Sequence, residues 1–147
     1  MVEVAMVVKI SRNTFYSMLN NLSSVPPESG GILGRIGDTI TSVFFDVGLQ
    51  CSNYSYIPDR QKLNLTIQKW RERGIVFCGL FHSHPSGGEF LSESDIQYAE
   101  RILRSFPKDK QTLLFPIVIP KEKVVFYCAR IKDNRIVVSE ENAVLVE

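Results

Sequence analysis

At 147 residues the chain fits one domain, 1–147, long enough to bury a core without disulfides or a structural metal. Apolar residues make up 44% and charged residues 22%, and the formal net charge is +1, so no charge excess points to nucleic acid or a membrane surface as partner. The three cysteines, Cys51, Cys78 and Cys128, are odd in number and form no Cys-x-x-Cys pair, which implies free thiols in a reducing compartment. The apolar start, residues 1–10, has no basic leader and is interrupted by Lys9; it is too short for a signal peptide or a membrane span, and the expectation is a cytoplasmic protein.

In chain order, residues 4–9 predict a short strand. Ser11 then caps a helix whose apolar Phe15, Met18, Leu19 and Leu22 follow the helical period, and Pro26-Pro27 stops it. Glu28-Ser29-Gly30-Gly31-Ile32-Leu33-Gly34 is a glycine-rich entry to a second strand. Residues 39–49, rich in Thr, Val, Ile and Phe, predict a third. Pro58-Asp59 opens a second helix, with Leu63, Ile67 and Trp70 on one face and Gly74 at its end. The apolar run 75–81 predicts a strand buried on both faces. A third helix starts near Ser92 with Ile96, Ala99, Ile102 and Leu103 inward, and strands follow near 112–119, 123–131, 134–138 and 142–146. This irregular mixture predicts an α/β or α+β fold around a central sheet.

Both histidines of the chain fall in Phe81-His82-Ser83-His84-Pro85. Alternate side chains of a strand share a face, so His82 and His84 point the same way, and Pro85 ends the strand. Imidazole is a good zinc ligand, and a catalytic zinc has three protein ligands plus water. The third ligand is expected from Glu89, Glu93 or Asp95, brought back by the turn Pro85-Ser86-Gly87-Gly88. Ser92 and Asp95 share a helix face, and Ser-x-x-Asp also reads as a capping box. Cys78, at even spacing from His82, falls on the same face, although a buried cysteine is usually an apolar filler. Neither the deaminase pattern nor His-Glu-x-x-His is present.

His82-Ser83-His84, seven intervening residues, Ser92, two more and Asp95 resembles the complete motif of the JAMM/MPN+ (JAB-domain) metalloproteases. An upstream glutamate before a glycine-rich strand matches Glu28, and Arg35 stands where many relatives carry glycine or an apolar residue. The resemblance implies a JAB/MPN (cytidine-deaminase-like) α/β fold, a central mixed sheet flanked by helices. It further implies one Zn²⁺ per chain, held by His82, His84 and Asp95, with Glu28 as general base and Ser92 as oxyanion donor. The implied activity is that of a zinc metallopeptidase, a deubiquitinase-like isopeptidase. Its substrate would be ubiquitin or a ubiquitin-like protein, cut after the C-terminal glycine, alongside cognate activating or conjugating enzymes. The chain is similar to compact prokaryotic JAB proteins without long insertions.

Residues 50–57, with Tyr54 and Tyr56, are the expected guiding loop for an extended tail lying along a sheet edge. Two other readings share the fold. One is a metal-free scaffold module. The other is a RadC-like protein of DNA metabolism, suggested by His84-Pro85-Ser86-Gly87, although Ser83 stands where that branch usually has asparagine.

Overall fold

A computed structural model of the chain describes residues 7–24, 28–49 and 56–147. The Pro26-Pro27 stop, Cys51, Tyr54 and the start of the first predicted strand lie outside those residues. The described residues form β1 (Val7–Ser11), α1 (Arg12–Asn20), β2 (Gly30–Ile36), β3 (Thr39–Asp46), α2 (Arg60–Glu72), β4 (Val76–Ser83) and α3 (Glu93–Arg104), followed by a short 3₁₀ turn, β5 (Thr112–Leu114), β6 (Ile117–Ile119), β7 (Lys123–Lys132) and β8 (Arg135–Val146). No helix among them is long and apolar enough to cross a membrane.

The strands make one mixed sheet in the order β2-β3-β1-β8-β7-β5-β4-β6, and a further pairing of β2 with β4 closes it on itself. β1 runs parallel to β3 and β8, and β4 runs parallel to β5 and β6. The other pairings are antiparallel. α1 covers one face, where Met18 and Leu22 pack with Ile10, Leu33, Phe81 and Phe126. α2 and α3 cover the other, where Leu63, Trp70, Ala99 and Leu103 pack with Ile32, Leu80, Leu113 and Phe115. The fold is therefore a mixed α/β arrangement around a central sheet, as expected of a JAB/MPN domain.

Each helix begins at a side-chain cap. Ser11 Oγ accepts from Thr14 N, Asp59 Oδ1 from Lys62 N, and Ser92 Oγ from Asp95 N. α2 ends before Gly74, whose φ of +76° suits the left-handed stop that glycine tolerates best.

Three strand readings need correction. Residues 134–138 and 142–146 belong to one continuous strand, β8, because β7 and β1 pair along its two sides and bridge the polar stretch between them. The predicted strand at 112–119 is two strands, interrupted where Phe115-Pro116 breaks the ladder. β4 is buried on both faces only from Gly79 onward, and Val76 at its start is 47% exposed.

β2 also shifts register against both of its neighbours around Gly34. Leu33 pairs with Gly79 but Gly34 with Phe77, leaving Cys78 as an extra residue on β4. Opposite β3 the shift falls between Gly34 and Arg35, leaving Thr41 extra.

Candidate metal centre

His82 is the next-to-last residue of β4, and His84 lies just beyond the strand end, before Pro85. His84 N still donates to Val118 O at 2.9 Å, so its backbone stays registered against β6. Between the histidines, Ser83 is fully buried on the opposite face. Its Oγ accepts from Ser29 N at 2.9 Å and its own N–H donates to Ser29 O at 2.7 Å. Gly30 pairs directly with His82. A Cβ on Gly30 would collide with the Phe81 carbonyl oxygen and stand 2.7 Å from the Tyr56 ring, so only glycine lets these segments approach so closely. These contacts bring Glu28 beside the histidines across 54 residues of sequence. The sequence names Ser83 only as the residue between the histidines; its burial and its bonds to Ser29 come from the fold.

The two Nε2 atoms face each other at 2.9 Å, and Asp95 Oδ2 stands 3.3 Å from that of His82 and 3.5 Å from that of His84. Tetrahedral zinc with bonds of about 2.0–2.1 Å holds neighbouring ligands about 3.3 Å apart. The observed triangle matches that edge length. His84 Nδ1 lies 2.8 Å from Gly88 O, and a carbonyl only accepts, so Nδ1 carries the proton and Nε2 presents its lone pair inward. The donor set thus fits a divalent cation, and His82, His84 and Asp95 are the metal-capable group found among the described residues.

Of the three candidate acids, Asp95 alone reaches the histidines. Glu89 pairs with Lys123, and its carbonyl accepts from the Tyr127 hydroxyl at 2.7 Å, which pins the loop against β7. Glu93 sits exposed in the first turn of α3. Asp95 is oriented by a reciprocal capping box, since Ser92 N donates to Asp95 Oδ2 at 2.9 Å while Asp95 N donates to Ser92 Oγ at 3.0 Å. One carboxylate oxygen therefore both caps α3 and faces the histidines. At the far end of α3, Arg104 bonds Asn134 in the β7–β8 turn, which fixes the helix that delivers Asp95.

A cavity of about 320 Å³ opens beside this triangle, lined by Glu28, Tyr56, Leu80, His82, Asp95 and Phe115, with Ser94, Arg60, Tyr98 and Arg101 also in its lining. Ser92 is not part of the lining. Tyr56, the described half of the expected tyrosine pair, donates its hydroxyl to Asp46 Oδ2 at 2.7 Å and also faces the cavity. Asp46, nearly fully buried, further accepts from Asp59 N and Gly48 N. It ties the end of β3 to the start of α2, a role with no local sequence signal beyond an acid closing an apolar strand.

Cys78 is a correction. The bulge on β4 turns it to the α1 side with Phe81, opposite Leu80 and His82. Its Sγ lies 3.5 Å from Leu33 O, and burial pushes the thiol pKa up to about 12, so it serves as an apolar filler.

Electrostatics follow from this packing. Burial works to raise the Asp95 pKa, but its hydrogen bonds to both histidines outweigh it and hold the carboxyl far below the usual range. Burial disfavours charged His84, yet Asp95, the Gly88 carbonyl and Glu28 together carry its pKa above the ordinary 6.5. Glu28 moves the other way from Asp95: partial burial lifts its pKa above 4.5 despite the pull of His82 and His84. A metal needs the neutral imidazole, so protons compete for His84 from a higher pH than for a free imidazole, while Asp95 stays ionised. Zinc affinity should therefore fall as pH drops from about 8 to about 5, with the decline starting above the ordinary histidine value. A chelator-competition titration across that range checks it; flat affinity down to the ordinary imidazole value contradicts it.

Comparison with known proteins accords with this geometry. The chain is similar in fold to the solution structure of a protein from Desulfitobacterium hafniense, with 24% identity over 97% of this chain and 94% of that one and a TM-score of 0.69. It is likewise similar to a Salinibacter ruber protein, with 17% identity over 95% and 92% of the two chains and a TM-score of 0.59. Comparison with curated proteins finds no match. The family described as prokaryotic homologs of the JAB domain matches residues 18–134, and the chain belongs to that family.

Proposed function

We propose that this JAB-domain protein is a zinc-dependent protease or isopeptidase that cleaves after the C-terminal glycine of ubiquitin or a ubiquitin-like protein. The observation that carries it is the convergence of His82, His84 and Asp95 on one point, with Glu28 lining the same cavity. The resemblance to metalloproteases supports hydrolysis in particular. Zn²⁺ at such a site lowers the pKa of bound water to about 7 and polarises a carbonyl.

The chain's own residues supply the rest. Glu28, with its pKa raised mainly by burial, takes the proton of the attacking water and returns it to the leaving amine. Gly88 holds His84 in the ligating tautomer. The Ser92 oxygen accepts from Asp95 N, which leaves its hydroxyl proton free to meet the developing oxyanion. Partners under this reading are the ubiquitin-like substrate and its conjugating enzymes, with neither nucleic acid nor membrane. The free thiols Cys78 and Cys128 support a reducing, cytoplasmic setting.

The test is a fluorogenic ubiquitin-like C-terminal substrate assayed with zinc-loaded and chelated protein. Cleavage that follows zinc supports the reading, and a zinc-loaded protein with no cleavage of any glycine-ended tail ends it.

Ser92 has its own test, because capping and oxyanion donation separate. Ser92→Ala should cost about 1 kcal/mol of stability through the lost cap and about 10²–10³ in kcat. Ser92→Gly should recover most of the stability but none of the rate, since glycine caps tolerably and donates nothing. Full activity in Ser92→Gly would leave Ser92 a cap alone.

A further inference from the structure

Part of the cavity lining is cationic. Arg60 opens α2, and Tyr98 and Arg101 follow Asp95 on α3 by three and six residues. All three side chains line the cavity that holds Glu28, His82 and Asp95. The Arg101 guanidinium carbon lies 5.7 Å from the Tyr98 ring centre, and Arg60 shares the same lining. Some cations of the molecule have acidic partners, such as Lys9 with Asp38, Arg104 with Glu100 and Lys123 with Glu89. Among the described residues, neither Arg60 nor Arg101 forms an ion pair.

We propose that Arg60, Tyr98 and Arg101 form a subsite that receives a carboxylate of the substrate next to the scissile bond. This rests on the hydrolase reading above and names the substrate chemistry it takes. With a dication at the triangle, Glu28 and Asp95 balance that charge, and neither guanidinium is held in an ion pair among the described residues. A guanidinium fork matches a carboxylate with two parallel hydrogen bonds, and the Tyr98 ring holds one fork in place. Arg60 and Arg101 are both exposed, so the pairing is open to solvent and screened by salt. The carboxylate is either the main-chain carboxylate of the leaving residue or an acidic side chain on the acyl tail.

The experiment measures binding to zinc-loaded full-length protein by NMR titration. One pair of ligands, Nα-acetyl-lysine and its carboxamide, tests the leaving residue; the other, acetyl-glutamyl-glycinamide and acetyl-glutaminyl-glycinamide, tests the tail. At least one carboxylate should bind about tenfold more tightly than its neutral partner, with a shift at an arginine Nε. Arg60→Gln and Arg101→Gln should each erode that preference while zinc content holds. Equal affinity within both pairs overturns the subsite, as does a preference that survives in the double variant. Should the variants fold poorly, the wild-type preference must still weaken with added salt, and a salt-independent one also overturns it. Hydrolysis of the ubiquitin-like tail is scored separately. Its absence removes the protease reading, whereas the subsite stands or falls on the paired affinities.

Discussion

Glu28→Gln should leave zinc bound at one ion per chain and lower kcat by about 10²–10⁴, the usual contribution of a positioned acid–base group. Glu28 does not belong to the metal-capable group, so the ion loses no ligand. The substitution keeps the shape of the side chain and removes only its ability to take a proton. Partial burial already lifts the Glu28 pKa toward the range where it can accept a proton from water and give it up to an amine. Metal analysis and steady-state kinetics on the same preparation check both halves. A kcat within about tenfold of wild type would falsify the general-base role and leave Glu28 a lining residue.

Asp95→Ala should have the broader effect, because one carboxylate does two jobs. It removes the anionic member of the triangle, leaving two imidazole nitrogens 2.9 Å apart with no negative partner, and it removes half of the capping box of α3. Outer-shell partners of a metal typically cost about 10–100-fold in affinity, and a direct ligand should exceed that. Wild-type protein should melt at lower temperature once chelated, since an ion that binds only the native state stabilises it. The variant should melt at the same temperature with or without chelator. It should also lie below chelated wild type, by the cap, about 1 kcal/mol, together with the lost bonds from Asp95 to the two histidines. Stoichiometric zinc retained in the variant contradicts the triangle as the binding site.

Element types were largely legible because they depend on local pattern. The three helices announce themselves through Ser11, Asp59 and Ser92 followed by apolar residues at helical spacing. Strand continuity was less so. The polar stretch that seemed to divide residues 134–146 is tolerated in β8 because its backbone stays paired with β7 up to Glu141, where pairing with β1 takes over at Asn142, and backbone pairing does not read side chains. Bulges are the clearest failure of periodicity. Even spacing places Cys78 with His82, but one extra residue on β4 reverses its face, and nothing in the apolar run 75–81 marks where that residue falls.

What the amino-acid sequence determined by itself is the local half of the site: two histidines at a strand end, closed by proline, and an acid in the first turn of a serine-capped helix. Their spacing is short, so strand alternation and helix geometry suffice to aim them. Spacing left three acids open and the motif resemblance named Asp95; tertiary structure shows why, since Glu89 is taken by Lys123 and α3 carries the Asp95 carboxylate back to the histidines. It alone brought Glu28 alongside, through the β2–β4 pairing and the Ser29–Ser83 bonds, and gathered Arg60, Tyr98 and Arg101 from two helices into one wall. Those placements depend on register between strands and on packing of helices across the sheet. Both are set by the summed burial of residues far apart in the chain, which no local spacing encodes.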